Sequence, residues 1–147
     1  MADLDDIYSA RILEHAAAIS HGTRLKSPQA TASAHSKLCG STVTIDLAMA
    51  DGRVTEFGQT VKACLLGQAA ASIVARHIIG ACADELRAAG QAMRAMLKSG
   101  GPPPSGRFAD LAVLEPVREV KGRHASTLLI FDAIERAIAE IEAKATV

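Results

Sequence analysis

Residues 42–61 contain two stretches of alternating apolar and polar residues, one on each side of Asp51-Gly52. A period of two places successive side chains on opposite faces of a β-strand, and Asp-Gly is a favoured pair for a tight hairpin turn. The stretch therefore predicts an antiparallel hairpin with one buried face. Its predicted inward residues are Val43, Ile45, Leu47 and Met49 in the first strand and Thr55, Phe57 and Val61 in the second.

The length of the turn sets the register of this hairpin, and both a two-residue turn and a three-residue loop fit the sequence. The three-residue loop pairs Leu47 with Phe57 and Val43 with Val61, which matches apolar residues better. Extended to the open end of the hairpin, either register places Cys39 opposite residue 64 or 65. We therefore expect Cys39 and Cys64 to lie close together there, with the Cys39 loop exposed.

Helical periodicity surrounds the hairpin. Apolar residues recur at three- and four-residue spacing in four segments, which are Leu4–Ile19, 64–80, 83–98 and Ser126–Ala145. The segment ATASAH is predicted as an edge strand, the run from Gly100 to Pro104 as a loop, and residues 108–120 as a short helix or turn. This order predicts an α+β fold, a small three-stranded antiparallel sheet with helices packed on one face, in one domain over residues 1–147.

The charge balance and the cysteine content bear on the partners of the protein and on its cellular compartment. Lys+Arg and Asp+Glu both number 16, so the chain lacks the basic excess that binding to nucleic acid requires. No apolar run approaches the roughly 18 residues needed to span a bilayer, so we expect no membrane association. Three cysteines in a chain with 49% hydrophobic residues do not indicate a disulfide framework. We therefore predict a cytoplasmic protein.

Cys64 is the thiol that the sequence singles out, because it stands where the second strand of the hairpin ends and a helix begins. The positive end of the helix dipole favours the thiolate, which is the form that ligates metals and attacks sulfur, and Lys62 acts in the same direction. The alternative is that Cys64 is a small buried apolar residue. We give this interpretation to Cys82 as well, because its setting, IIGACADEL, is apolar and offers the thiol no polar neighbour. The sequence contains none of the common enzyme motifs, so we predict that the chain is not an enzyme.

Three separated blocks resemble the iron–sulfur cluster assembly scaffolds of the IscU, SufU and NifU N-terminal type. LCGS at 38–41 is similar to the family's L-C-G-D, and KACLLGQAAASIVARHIIG at 62–80 to its cysteine at the head of an Ala/Ser-rich helix. VREVKGRHASTLLIFDAI at 117–134 resembles the SufU-like segment V-R-E-x-x-x-R-x-x-C-A-x-L-x-W-x-A-L. The resemblance covers nearly the whole chain and implies the same α+β fold.

The resemblance also implies a function. Such scaffolds receive persulfide sulfur from a cysteine desulfurase, assemble a transient [2Fe–2S] cluster and pass it to recipient apo-proteins, while SufU-like members bind zinc and accept sulfur. Three interpretations stay open, namely a cluster scaffold or carrier, a persulfide acceptor that never holds a cluster, and a degenerate homologue that acts as a protein-binding module.

By the same resemblance, Cys39 and Cys64 are the metal ligands or persulfide acceptors. Ser41 stands where the family has an aspartate, and Ser126 where it has a third cysteine. A neutral hydroxyl is a poor ligand for zinc or iron compared with a carboxylate or thiolate. His124, which we expect to lie in a loop, is the candidate for a third metal ligand.

Four further residues are expected around the cargo. Gly40 and Ser41 follow the first cysteine, Ser126 occupies the third-cysteine position, and Arg123 would hold thiolate or sulfide by its charge. Because two thiolates and one imidazole do not complete a four-ligand site, water, a ligand from a partner, or a second copy of the chain would complete it. The last option implies a homo-oligomer.

Overall fold

The computed structural model describes Ile12, Glu14, His15, residues 23–37 and residues 40–145. Its strands are β1 (Ala30–His35), β2 (Thr42–Ala50) and β3 (Arg53–Lys62), and its α-helices are α1 (Leu65–His77), α2 (Ala83–Ser99) and α3 (His124–Ala145). Two 3₁₀ segments, Gly106–Glu119 and Lys121–Arg123, connect α2 to α3. The predicted helix Leu4–Ile19 lies outside the described residues except at Ile12, Glu14 and His15, which are helical.

The three strands form one antiparallel sheet in the order β1-β2-β3. The predicted edge strand is confirmed as β1, which pairs with β2 along its whole length. Together with the helices that pack against the sheet, this is the α+β fold that the sequence predicts. Among the described residues, no helix is both long and apolar enough to cross a membrane.

The β2–β3 hairpin combines features of both predicted registers. Asp51 and Gly52 have φ angles of 55° and 76°, as a two-residue type I′ turn requires, and Ala50 pairs with Arg53. A β-bulge then shifts the register, and beyond it Leu47 pairs with Phe57 as predicted.

Thr55 is the extra residue at this bulge. Ala48 pairs with Glu56 and Met49 with Val54, so Thr55 has no partner across the ladder and its hydroxyl donates to the Ala48 carbonyl at 3.2 Å. The expectation that Thr55 faces the core is wrong, because the bulge leaves its side chain exposed.

The inner face of the sheet packs against α3. Val43, Ile45, Leu47 and Phe57 are at most 3% exposed, as the alternation predicts. The inward face predicted for the last helix is also confirmed; its buried residues include Leu128, Leu129, Phe131, Ile134, Ile138 and Ile141.

The outer face of the sheet carries a buried carboxylate, Asp46. It accepts hydrogen bonds from Arg24 Nε at 2.5 Å and Nη2 at 3.0 Å, from the Leu25 backbone N–H at 3.0 Å, and from Thr31 Oγ1 at 2.6 Å. Burial raises the pKa of Asp46, but these hydrogen bonds outweigh burial and hold that pKa below its usual value. Asp46 thereby fastens the segment 23–29 across the outer face.

The orientation of α3 places its first turn at one particular end of the sheet. Arg136 Nη1 donates to the Ser33 carbonyl at 2.5 Å, and Lys144 Nζ donates to the Gln29 carbonyl at 2.8 Å. Helix α3 therefore runs antiparallel to β1, and it begins near the end at which β1 stops. Since β3 also ends there and leads into α1, the β1–β2 loop, the start of α1 and the start of α3 converge at this end.

Candidate functional site

The β1–β2 loop is tightly closed. His35, Thr42 and Lys62 lie side by side in the last paired row of the sheet. Beyond this row the Ser36 N–H donates to the Ser41 carbonyl, and the Gly40 N–H donates to the Ser36 carbonyl, both at 2.9 Å. Gly40 has a φ of 73°, in the left-handed region that favours glycine. The loop carries Cys39, which itself lies outside the described residues, so the predicted proximity of Cys39 and Cys64 stays a prediction.

Cys64 occupies the position predicted for it at the start of a helix. It is the N-cap residue of α1, with extended backbone angles of −65° and 171°, and its free thiol is half-buried. Its Sγ lies 3.3 Å from the hydroxyl oxygen of Ser126, which is 1% exposed in the first turn of α3. The structure thus brings together the second predicted cysteine and the serine that stands in the place of a third one.

Gly67 permits this contact between two helices. A methyl group on Gly67 would lie 2.8 Å from Ala63 Cβ, closer than real Cβ atoms approach, and 3.0 Å from the Ser126 carbonyl oxygen, a contact that would require a small shift. Glycine therefore lets the first turn of α1 approach the first turn of α3 without displacing these neighbours. An isolated glycine inside a helical pattern was the only sequence signal for this role.

The Ser126 hydroxyl lies within hydrogen-bond distance of two groups, the Cys64 thiol and the Arg123 carbonyl. Its Oγ lies 3.2 Å from the Arg123 carbonyl, which also accepts a hydrogen bond of 2.8 Å from Thr127 Oγ1. Because Thr127 keeps that carbonyl satisfied, the Ser126 hydroxyl is able to rotate and donate to Cys64 when the sulfur is negatively charged. The pair can therefore support either a thiol or a thiolate without leaving a buried polar group unpaired.

His124 lies at the first position of α3 and is 7% exposed, so the expectation that it lies in a loop is wrong. Its Nε2 lies 3.1 Å from the Val117 carbonyl and 3.2 Å from the Arg118 carbonyl. Since both partners only accept hydrogen bonds, Nε2 carries the proton. His124 fastens the end of the first 3₁₀ segment to the start of α3, and ligation of a metal would require its Nδ1.

Cys82 lies at the other end of β3, where it bridges to Arg53 beside the hairpin turn. It is the half-buried N-cap residue of α2, and its backbone N–H donates to Glu85 Oε1 at 3.1 Å. This hydrogen bond and that from Arg107 hold the pKa of Glu85 below its usual value. The expectation of an apolar setting without a polar neighbour is therefore wrong for Cys82.

Among residues 23–37 and 40–145 with Ile12, Glu14 and His15, no three His, Cys, Asp or Glu side chains group closely enough to hold a metal ion. This statement does not include Cys39. Of the predicted site residues, Cys64, Ser126 and Arg123 lie together in two adjoining helix starts. Gly40 and Ser41 lie in the neighbouring loop at the same end of the sheet.

Comparison with known proteins identifies relatives among solved structures. No protein-family model matches the chain, and no curated protein matches it either. The crystal structure of a nitrogen-fixing NifU-like protein (N-terminal) from Brucella abortus has a TM-score of 0.94 and 59% sequence identity, covering 96% of this chain and 98% of that one.

Two more distant structures share the fold. A putative iron–sulfur cluster assembly scaffold protein for the SUF system from Fervidobacterium islandicum AW-1 has a TM-score of 0.83 at 17% identity, covering 92% of this chain and 98% of that one. A protein described as hypothetical has a TM-score of 0.81 at 18% identity, covering 92% and 99%. Identity of 59% over nearly the full length of both chains is far beyond a likeness of fold alone. The resemblance seen in three sequence blocks is thus confirmed, and the chain belongs to the family of NifU-like N-terminal proteins.

Proposed function

We propose that this chain is a non-enzymatic scaffold or carrier for iron–sulfur cluster assembly, which holds iron or a transient [2Fe–2S] cluster through Cys39 and Cys64. The observation that carries the proposal is the free, half-buried thiol of Cys64 at the start of α1, at the same end of the sheet as the Cys39 loop. The NifU-like relative at 59% identity and the fold shared with a SUF-system scaffold support the same function.

The surroundings of Cys64 suit a thiol that must bind cargo and release it. Partial exposure of the sulfur allows a partner or recipient protein to reach it. A site closed by four thiolates would keep its cargo, whereas two thiolates with weak additional donors allow exchange. Lability is therefore the property that we expect of this site.

The remaining residues of the site supply charge and shape rather than strong ligands. Ser41 and Ser126 are 5% and 1% exposed, and both offer hydroxyls where the family has an aspartate and a cysteine. Gly40 allows the loop to turn back beside Cys39, and Arg123 adds a positive charge next to the start of α3. His124 would contribute only through Nδ1, because its Nε2 proton is committed to backbone carbonyls.

The second candidate function is a persulfide acceptor that binds zinc in the manner of SufU-like proteins. It is favoured by the contact of Cys64 with a serine hydroxyl instead of a third thiol. In this reaction the Cys64 thiolate attacks the outer sulfur of a persulfide on a cysteine desulfurase. A new sulfur–sulfur bond forms on Cys64, the old one breaks, and the desulfurase cysteine leaves as a thiolate, so no external oxidant is needed.

The partners that follow from both functions are a cysteine desulfurase and, for the scaffold, recipient apo-proteins in the cytoplasm. A second copy of the chain is a further candidate, because it would supply the ligands that one copy lacks. A degenerate homologue that only binds proteins would need neither thiol.

Anaerobic reconstitution distinguishes these functions. The chain is incubated with ferrous iron, cysteine and a cysteine desulfurase, and the products are followed by absorption spectra, metal analysis and mass spectrometry. A scaffold acquires iron and sulfide together with visible absorption, whereas a persulfide acceptor gains only the mass of sulfur on Cys39 or Cys64. A chain that acquires neither would contradict both functions and leave the protein-binding module.

A further inference from the structure

Ser36 lies at the neck of the loop that carries Cys39. Its backbone N–H and carbonyl both close this loop, through Ser41 and Gly40, and the residue is only 4% exposed. Its hydroxyl oxygen is buried and has no hydrogen-bond partner in the part of the chain that the structure describes. The loop therefore contains a polar group that is removed from water and has no partner among the described residues.

The other hydroxyls of the neighbouring strand are satisfied. Thr31 Oγ1 donates to Asp46, and Ser33 Oγ lies 2.8 Å from Thr44 Oγ1. Side chains two positions apart in a strand lie on the same face of the sheet, so Ser36 shares a face with Ala34. This is the inner face, which packs against α3, and Ala34 is 2% exposed there. An alanine at position 36 would fill this place without the desolvation cost of a hydroxyl, so packing alone does not account for the serine.

The position of Ser36 relates it to the thiol site. Strand pairing places His35, Thr42 and Lys62 in one row, so Ser36, Ser41 and residue 63 follow in the next row at the end of the sheet. Cys64 comes directly after that row, and Cys39 lies within the loop that Ser36 closes. A hydroxyl with no partner among the described residues is able to donate to a new acceptor without breaking a hydrogen bond that the structure describes.

We infer that Ser36 is a cargo-binding residue, whose hydroxyl donates a hydrogen bond to a sulfur atom held at the Cys39–Cys64 site. The acceptor is an anionic sulfur, either a ligating thiolate or the sulfide of bound cargo, because hydrogen bonds to sulfur stabilise such centres. This inference rests on the proposed function and deepens it. Ser36 thus differs from Ser126, whose hydroxyl already has two neighbours in the unloaded chain.

The test compares Ser36→Ala with the wild type and with Ser33→Ala in the full chain. Ser33→Ala is the matched control, because it removes a hydroxyl from the same strand that already has a partner on the outer face. Each protein is loaded anaerobically with ferrous iron and inorganic sulfide, and the release of iron to an excess of a coloured chelator is timed. Thermal unfolding of the unloaded proteins is measured in parallel.

Ser36→Ala is expected to release iron about tenfold or more faster than the wild type, the effect of one hydrogen bond to a charged acceptor. Its unloaded form should unfold at the same temperature or a higher one, because an unsatisfied hydroxyl has been removed. Ser33→Ala should release iron at the wild-type rate.

Equal release from Ser36→Ala and the wild type would overturn the inference and leave the proposed function in place. A lower unfolding temperature for unloaded Ser36→Ala would also overturn it, because the hydroxyl would then have a structural partner. A wild-type chain that retains no iron or sulfide would overturn the proposed function and the inference together.

Discussion

Restoring a thiol at position 126 should convert a weak metal site into a tighter one. Cys64 Sγ lies 3.3 Å from Ser126 Oγ. Two sulfurs bound to one tetrahedral zinc at about 2.3 Å each lie about 3.8 Å apart. Ser126→Cys places a second sulfur in contact with Cys64 Sγ, and a small side-chain rotation at either residue widens the separation to this value without movement of either helix.

The size of the effect follows from the strength of zinc–thiolate sites. Four-ligand structural sites bind zinc with about 10–16 kcal/mol, so one added ligand contributes about 2.5–4 kcal/mol, or about 100-fold to 1000-fold in affinity. We expect about 100-fold at pH 7, the lower end of this range, because the added thiol must lose its proton to bind.

The assay is a competitive zinc titration against a chromophoric chelator under reducing conditions. Thr127→Cys is the matched control, because it adds a buried thiol to the same turn at a residue whose hydroxyl contacts the Arg123 carbonyl rather than Cys64. Only Ser126→Cys should bind zinc more tightly. Equal affinities for Ser126→Cys and the wild type would refute the geometry that we assign to the site.

Three other perturbations test separate parts of the structure. His124→Ala should leave zinc affinity nearly unchanged in the same titration. It should lower the free energy of unfolding by about 1–3 kcal/mol, because it removes a buried hydrogen bond to Val117. A large loss of zinc affinity would instead identify His124 as a ligand. Asp46→Asn should cost about 1.5–3 kcal/mol in urea unfolding at pH 7. Because the folded pKa of Asp46 is lowered, its contribution is full above the unfolded pKa of about 4 and is lost as the pH falls through the folded value, so the two proteins should converge in stability in strong acid; a difference that does not change with pH would contradict this. Cys82 should react with iodoacetamide more slowly than Cys39 and Cys64, because its side chain takes part in the capping box at the start of α2, away from the proposed site; equal rates for all three thiols in the wild type would count against an active pair.

Local sequence patterns predicted the strands and helices of the fold. The features that these patterns did not predict depend on contacts between residues far apart in the sequence. Alternation and the Asp-Gly turn were enough to predict β2, β3 and the pair Leu47–Phe57. The bulge that turns Thr55 outward was not predictable, because either turn length satisfied the same pattern. The same alternation leaves Asp46 on the outer face, but its burial depends on the segment 23–29 that crosses the sheet.

The candidate site was predictable only in part for the same reason. Cys64 stands at a boundary between a strand pattern and a helix pattern, so its place at the start of α1 was visible in the sequence. Its contact with Ser126 joins residues that are 62 positions apart, and only the family resemblance suggested it. The roles of two other residues can be inferred only when the packing around them is known. These are Gly67, which allows that contact, and Ser36, whose hydroxyl has no described partner.

The central claim is that Cys39 and Cys64 together hold iron and sulfide. It is tested most directly by the iron and acid-labile sulfide retained after anaerobic reconstitution and desalting of the wild type, Cys39→Ser, Cys64→Ser and Cys82→Ser. Cys82→Ser is the internal control, since that thiol lies at the opposite end of β3. We predict that the wild type and Cys82→Ser retain iron and sulfide in equal amounts, and that Cys39→Ser and Cys64→Ser each lose both. Undiminished iron and sulfide in Cys64→Ser would contradict the claim.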